Sequence, residues 1–328
     1  MNQFWKDMGV AVVMGLIVPA VLLAAVVSFS GKRSEIPKLT EPIMATETGS
    51  EAVLEQGLRV SVQYDDGQVD RIPLHDYLTG VVLAEMPVSF EDEALKAQSV
   101  VARTYTRRAM NGATKHQEAD VCTDAACCQG YLDTQKYLNE GGTRENVQRI
   151  SNLITETDGQ VLTYEGDLIE ATYFSCSGGV TEDAVAVWGT DVPYLQSVSS
   201  PGEEHATHYT DSVTFEPDEF SSMLGLALDA DPEDWFSDIT YTDGGGIATM
   251  VIGGESFTGT QLRKLLGLRS TAFTVAVQDH TVTIQTRGYG HRVGMSQYGA
   301  DAMAATGSTY EQILAHYYQG TELTNDFR

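Results

Sequence analysis

Positive charge is what this sequence has least of. Its 20 Lys and Arg stand against 46 Asp and Glu, a formal charge of −26, and a surface of that sign repels phosphate backbones and anionic headgroups. Nucleic acid is thereby set aside as a partner. No internal repeat is visible, and no G-x-S-x-G elbow or H-E-x-x-H pair occurs, which removes the usual supports for a serine nucleophile and for a zinc hydrolase cutting amide bonds. Cysteine is scarce: four residues, three of them within Cys122–Cys128. What is present suffices for a globular chain, since 42% apolar residues over 328 positions can bury a sizeable core.

The first 33 residues suit another solvent. Met8 to Phe29 carries no charge and Lys32-Arg33 closes the run, about the 20 residues a bilayer-spanning helix needs. Ser28-Phe29-Ser30 has the form of a signal-peptidase site, but the run exceeds the roughly 7–15 apolar residues of a cleavable signal. The expectation is one membrane anchor over residues 1–33. The amino terminus and Lys6 on one side balance Lys32 and Arg33 on the other, so charge does not set orientation. Residues 34–56 are polar and aperiodic with two prolines, the composition of a linker.

Folded sequence starts at Gly57. LRVSVQYDDGQVDRIPL reads as strand, Asp-Gly turn, strand. His75-Asp76 opens a short helix that Pro87 ends, which puts Glu85 at a helix C-terminus. A second helix is expected from Ser89 as N-cap with Asp92 three residues on. Its spacing can present Gln98, Arg103 or Tyr105 toward whatever Glu85 addresses, or make them an ordinary polar and packing face. NVQRISNLITET reads as helix, and GQVLTYEGDLIEATYFSCSGG as two strands ending in a glycine-bearing loop. From about His205 strand and helix signals start over, the content of a small α+β unit at 205–285 inserted between 57–204 and 286–328. The fold class expected is α+β: a mixed core domain with an inserted smaller subdomain, behind one transmembrane helix.

Two polar loops carry candidate ligand groups. SCSGG offers Ser175 and Ser177; GYGHRVGMSQYGA offers His291, Ser296, Gln297 and Tyr298, with Tyr289 or Tyr298 able to present an aromatic face to a ligand. Tight turns satisfying buried backbone are the competing reading. His116, Cys122 and Cys128 lie six apart, with Cys127 adjacent. An imidazole and two thiolates suit zinc, though not at finger or ribbon spacing; a disulfide from Cys122 to Cys127 or Cys128 is the alternative. Cys176 reads as a small filler.

EMP with the following ALKAQSVVARTY, YFSCSGG, VWG, PYL and above all GYGHRVGMSQYGA resemble the stage II sporulation protein D family, in order from about Leu58 to the end. The resemblance implies a peptidoglycan lytic transglycosylase that cuts glycan strands freed of stem peptides during engulfment. It implies anchoring in the mother-cell membrane, with the main domain in the space facing the forespore. A sporulation amidase and an accessory membrane protein are the implied partners. It marks Glu85 as catalytic, and implies a zinc ion, structural or substrate-orienting, on His116, Cys122 and Cys128 and not Cys127.

One acid is enough for that chemistry. Hydrolytic glycosidases usually need two carboxylates, but if N-acetylmuramic acid supplies its own C6 hydroxyl, one residue can protonate the leaving oxygen and then accept the hydroxyl proton as the 1,6-anhydro ring closes. Arg103 has the fork of donors suited to the lactyl carboxylate. Where the family reads GHGVGMSQ, this chain has Arg292, which implies either an altered backbone there or an outward side chain. A second function class, implied by some relatives, is a non-catalytic glycan binder that enhances an amidase.

Overall fold

A computed structural model describes residues 57–326; the anchor expected at 1–33 and the linker at 34–56 lie outside the described residues. Among the described residues no helix is long and apolar enough to cross a membrane. They form a mixed α+β fold.

The chain enters as an antiparallel hairpin of β1 (Arg59–Gln63) and β2 (Val69–Pro73), Val60 opposite Ile72. Alternation puts Val60 and Val62 in the core. Pro73 feeds directly into α1 (Leu74–Glu85), which therefore includes His75 and Asp76 in its first turn. Met86, forced out of helical geometry by Pro87, is extended at φ −127 and ψ 141 and ends the helix.

The following helix, α2 (Asp92–Arg108), corrects an expectation. Its N-cap is Glu91, not Ser89, and no side-chain capping bond forms. Asp301 accepts the Glu91 N–H at 2.8 Å, and Arg149 reaches both Asp92 and the Phe90 carbonyl. Tertiary partners do the work the local cap motif suggested.

Beyond α2, β3 (Val121–Cys122) adds to β1 in parallel. Next come α3 (Thr134–Asn139), α4 (Arg144–Glu156), β4 (Gln160–Tyr164) and β5 (Asp167–Leu168). Glu165 and Gly166 both take positive φ in the turn between β4 and β5, as a two-residue hairpin loop demands. After β6 (Tyr173–Phe174) and α5 (Ala184–Trp188), the chain builds a second apolar cluster.

That cluster contains Phe215, Phe220, Trp235, Met250, Leu262 and Ile284. It is formed by β7 (Thr210–Phe215), α6 (Pro217–Leu224), β8 (Phe236–Tyr241), β9 (Ile247–Ile252), β10 (Glu255–Thr258), α7 (Gly259–Leu265), β11 (Phe273–Gln278) and β12 (Thr281–Arg287). The strands make two antiparallel sheets, ordered β11-β12-β7 and β10-β9-β8.

The chain then returns. β13 (Met295–Ser296) pairs in parallel with β6, α8 (Gln297–Ala305) and α9 (Tyr310–Tyr317) follow, and β14 (Glu322–Asn325) pairs with β4. The first apolar cluster surrounds α2, which packs against α1, α4, α8, α9 and β4. Leu95, Val100 and Val101 on α2 are fully buried, roughly 1.5–3 kcal/mol each for the two side-chain types.

Arg292 follows neither course expected for it. Its backbone keeps a left-handed φ of 65, and its side chain turns inward, 2% exposed. The guanidinium donates to the carbonyls of Ser177, Val180 and Gly244 and pairs with buried Glu182 at 3.1 Å. Glu182 in turn accepts from Thr242 Oγ1 and Gly246 N–H. The pair thus ties the β8–β9 turn to the SCSGG loop.

Candidate active site

Glu85 is the last residue of α1, and its carboxylate faces a cleft of about 610 Å³. The Gly130 N–H donates to Oε1 at 2.5 Å. Gly130 is held in turn by its neighbour Gln129, fully buried and donating to Thr106 Oγ1 on α2 at 3.0 Å. Burial raises the Glu85 pKa, outweighing the opposing hydrogen bond from Gly130 and the Tyr173 hydroxyl and Gln297 amide beside it. The negative end of the α1 dipole acts in the same direction as burial. Gln297 Nε2 comes close enough to lower that pKa, yet this buried atom has no hydrogen-bond partner of normal geometry among the described residues. The Gln297 side chain lines the cleft beside Glu85.

The GYGHRVGMSQYGA loop forms the facing wall. Gly294, at φ +83, runs so close to β6 that a Cβ would stand 2.1 Å from the Thr172 carbonyl, so only glycine allows the β6–β13 pairing. This pairing brings Ser175 from one loop and His291 and Gln297 from the other into the same cleft. His291 lies between Phe174 and Trp188. Its Nδ1 accepts the Val293 N–H at 3.1 Å, which leaves the proton on Nε2. Burial, then the nearby Arg263 charge, push its pKa down to about 4, so the ring is neutral.

Of the residues expected at the site, Glu85, Tyr105, Ser175, His291 and Gln297 line the cleft, and so does Tyr289. Five do not. Gln98 is fully buried in the core, and Arg103, 1% exposed, donates to the Ile154 carbonyl at the end of α4 and to Thr157 Oγ1. Ser177 gives its hydroxyl to buried Glu203, Ser296 caps α8 through Gly299 N–H, and Tyr298 packs edge-on against Phe90 and His205. The cleft adds residues that sequence reasoning missed: Tyr173, Trp188, Lys115 and a second carboxylate, Glu170, 3.8 Å from Arg108. Trp188 stood in the VWG motif without a role; Glu170 had no local signal.

Beside the cleft, ligand atoms of His116, Cys122, Cys127 and Cys128 lie within 4.8 Å of one another. Cys127, set aside in the sequence reading, is included. His116 Nε2 is 3.2 Å from Cys128 Sγ and 3.8 Å from Cys127 Sγ. Donors bound tetrahedrally at Zn–S distances near 2.3 Å stand about 3.8 Å apart, so the set fits a metal ion. All four cysteines are free thiols, so neither disulfide alternative forms. Burial would raise the Cys128 pKa, but contacts from Tyr105, the Cys122 backbone and His116 bring it down to about 7. Cys176 is fully buried, pushed up to about 12, and serves as a filler.

A sequence profile described as Stage II sporulation protein matches residues 64–164, the stretch that contains Glu85, Gly130 and the thiol cluster. Stage II sporulation protein D of Bacillus amyloliquefaciens is 38% identical over 318 residues, 94% of this chain and 92% of that protein. Its counterpart in Bacillus subtilis (strain 168) is 36% identical over 335 residues, 99% of this chain and 96% of that one. A Bacillus subtilis protein named amidase enhancer is 30% identical over 76% of this chain and 40% of its own length. Likeness at that level over nearly the whole of two proteins means that this chain belongs to the stage II sporulation protein D family.

Proposed function

We propose that the protein is a peptidoglycan lytic transglycosylase, cutting strands freed of stem peptides to 1,6-anhydro-muramic ends with Glu85 as its general acid and base. One observation carries the reading: a single carboxylate of raised pKa is clamped at a helix end inside a cleft. Protonated Glu85 gives its proton to the glycosidic oxygen, and the resulting carboxylate takes the proton of the C6 hydroxyl as that oxygen closes on C1. Water takes no part. His291 and Gln297 line the cleft where sugar oxygens would lie, while Trp188 and Tyr289, 44% and 37% exposed, supply stacking faces.

In the same reading zinc is the ion, held by His116, Cys122, Cys128 and Cys127 together. Four protein ligands are the set of a structural site; when bound, the ion orders the loop whose continuation, Gly130, clamps Glu85. Residues 57–204 and 286–328 form the catalytic domain and 205–285 the insert. Residues 1–33 anchor the chain once in the mother-cell membrane, with the main domain extracytoplasmic, where it works with a sporulation amidase and an accessory membrane protein. The relative named amidase enhancer supports a second reading, a non-catalytic glycan binder that stimulates such an amidase.

The deciding experiment gives amidase-treated glycan strands to the full-length protein in detergent and to its Glu85→Gln form. Mass spectrometry should find ends about 18 Da lighter than hydrolysed ends, and only with Glu85 present. Binding without cleavage selects the second reading; ends that have gained water mean a hydrolase.

A further inference from the structure

The arginine that the sequence offered for a muramic carboxylate, Arg103, is spent inside the core. Positive charge reaches the cleft from elsewhere. Residues 205–285 contain twelve Asp and Glu but only three Lys or Arg: Arg263, Lys264 and Arg269. All three line one groove of about 650 Å³. Tyr289 lines both this groove and the cleft that holds Glu85, so the two adjoin at its ring.

The groove is built and not merely a scatter of surface cations. The Arg269 guanidinium lies 5.0 Å from the Tyr289 ring centroid, and its Nε donates to Asp211 at 2.6 Å. The Arg269 carbonyl accepts Arg263 Nε at 3.3 Å and Gly290 N–H at 3.0 Å, tying the cation cluster to the wall of the cleft. Lys264 is exposed, and Arg263 and Arg269 are half-buried. Asp211 offsets one of the three charges and leaves a net positive groove on a chain of formal charge −26.

We propose that this groove is a carboxylate subsite, receiving the lactyl carboxylate of a muramoyl residue on a strand that continues from the cleft past Tyr289. It rests on the glycan-cleft reading above. An anionic strand and an acidic protein repel wherever their charges lie within about 10 Å, so the strand is held where the local field reverses. Guanidinium forks match a carboxylate better than any neutral sugar group. The site therefore sorts strands by one bond. While a stem peptide is attached, the lactyl carbonyl is a neutral amide; once it has been hydrolysed off, each muramoyl residue presents an anion.

The test uses the full-length Glu85→Gln protein in detergent, which binds strands without cutting them, and three glycans. These are peptide-free strands, the same strands with lactyl carboxylates converted to methylamides, and strands still bearing peptides. Peptide-free strands should bind at least about tenfold tighter than either other kind, with a preference that shrinks as salt rises. Arg263→Gln with Lys264→Gln should bring that ratio below about threefold, and Lys264→Arg should keep it. If the double variant does not fold, Lys264→Gln alone, at an exposed position, must still reduce the ratio. Equal affinity for carboxylate and methylamide strands overturns the proposal, as does an unchanged ratio in a folded double variant. Tight binding of peptide-bearing strands overturns it too, by assigning the groove to peptide carboxylates. Selective binding by a protein that never cleaves would sink the transglycosylase reading and leave the groove standing; cleavage without selection does the reverse.

Discussion

Gly130 N–H and Glu85 Oε1 meet at 2.5 Å across 45 residues of chain, and a Cβ on Gly130 would lie 2.9 Å from that oxygen. The carboxylate must move if residue 130 gains a side chain. Gly130→Ala should therefore lower kcat on peptide-free strands about 10²-fold, the scale of a 1 Å misplacement, while melting near the wild type. Wild-type kcat in a folded alanine protein would show that this clamp is not needed.

Glu85→Gln should lose about 10²–10⁴ in rate, the range of one general acid–base group. It should also melt higher at neutral pH. A raised folded pKa means that ionised Glu85 costs stability above that pKa, and that the cost fades as pH falls through it. The gain in Tm should accordingly narrow from pH 8 toward pH 4, and a gain independent of pH would refute the assignment. The wild-type rate should fall as pH rises through the same pKa.

Glu170 is the carboxylate that could make the enzyme a two-acid hydrolase, since it shares the cleft with Glu85. Its position, roughly half exposed beside Arg108, is that of a wall residue. Glu170→Gln should lower the rate less than about tenfold and leave the products at anhydro mass. Abolished cleavage, or wild-type products that contain added water, would make Glu170 the second acid.

If the cluster holds the proposed metal, removing it should disturb Glu85 from a distance, because Cys127 and Cys128 lie just before Gly130 in the chain. A strong chelator should lower Tm and kcat together. X-ray absorption should count three sulfurs and one imidazole in the wild type, and two sulfurs in Cys127→Ser, with metal affinity weakened at least about tenfold. Two sulfurs in the wild type would return Cys127 to the role of bystander.

Arg292→Gly would relieve a left-handed backbone at a non-glycine residue, a gain of about 1 kcal/mol. Against that stands the loss of Glu182's buried partner, about 3–5 kcal/mol. Net destabilisation of about 2–4 kcal/mol is expected in urea unfolding, whereas Glu182→Gln with Arg292→Gly should recover part of it.

What was legible in the sequence rests on local chemistry. The Asp-Gly turn predicts the β1–β2 hairpin, and Pro87 predicts the helix end at Glu85. What was not legible depends on which neighbour covers which face. Helical spacing gives α2 a polar side but does not say that α1, α4, α8 and α9 enclose it, so it leaves Gln98 and Arg103 open between substrate contact and packing, and the structure puts both in the core. The Ser89 cap failed for the same reason, because Asp301 satisfies the helix end from far along the chain. Ser177 reads as a ligand group until Glu203 is seen beneath it.

The β6–β13 pairing has a consequence in time. Tyr173 and Phe174 wait for Met295 and Ser296, more than 120 residues later, before Ser175, His291 and Gln297 can share a cleft. During synthesis the amino-terminal half can hold its acid while lacking the facing wall of the cleft. Such long-range closure is slow. A chain interrupted between Glu85 and Gln297 carries the acid but not the facing wall, so the proposed activity would arise only once Gln297 has been made.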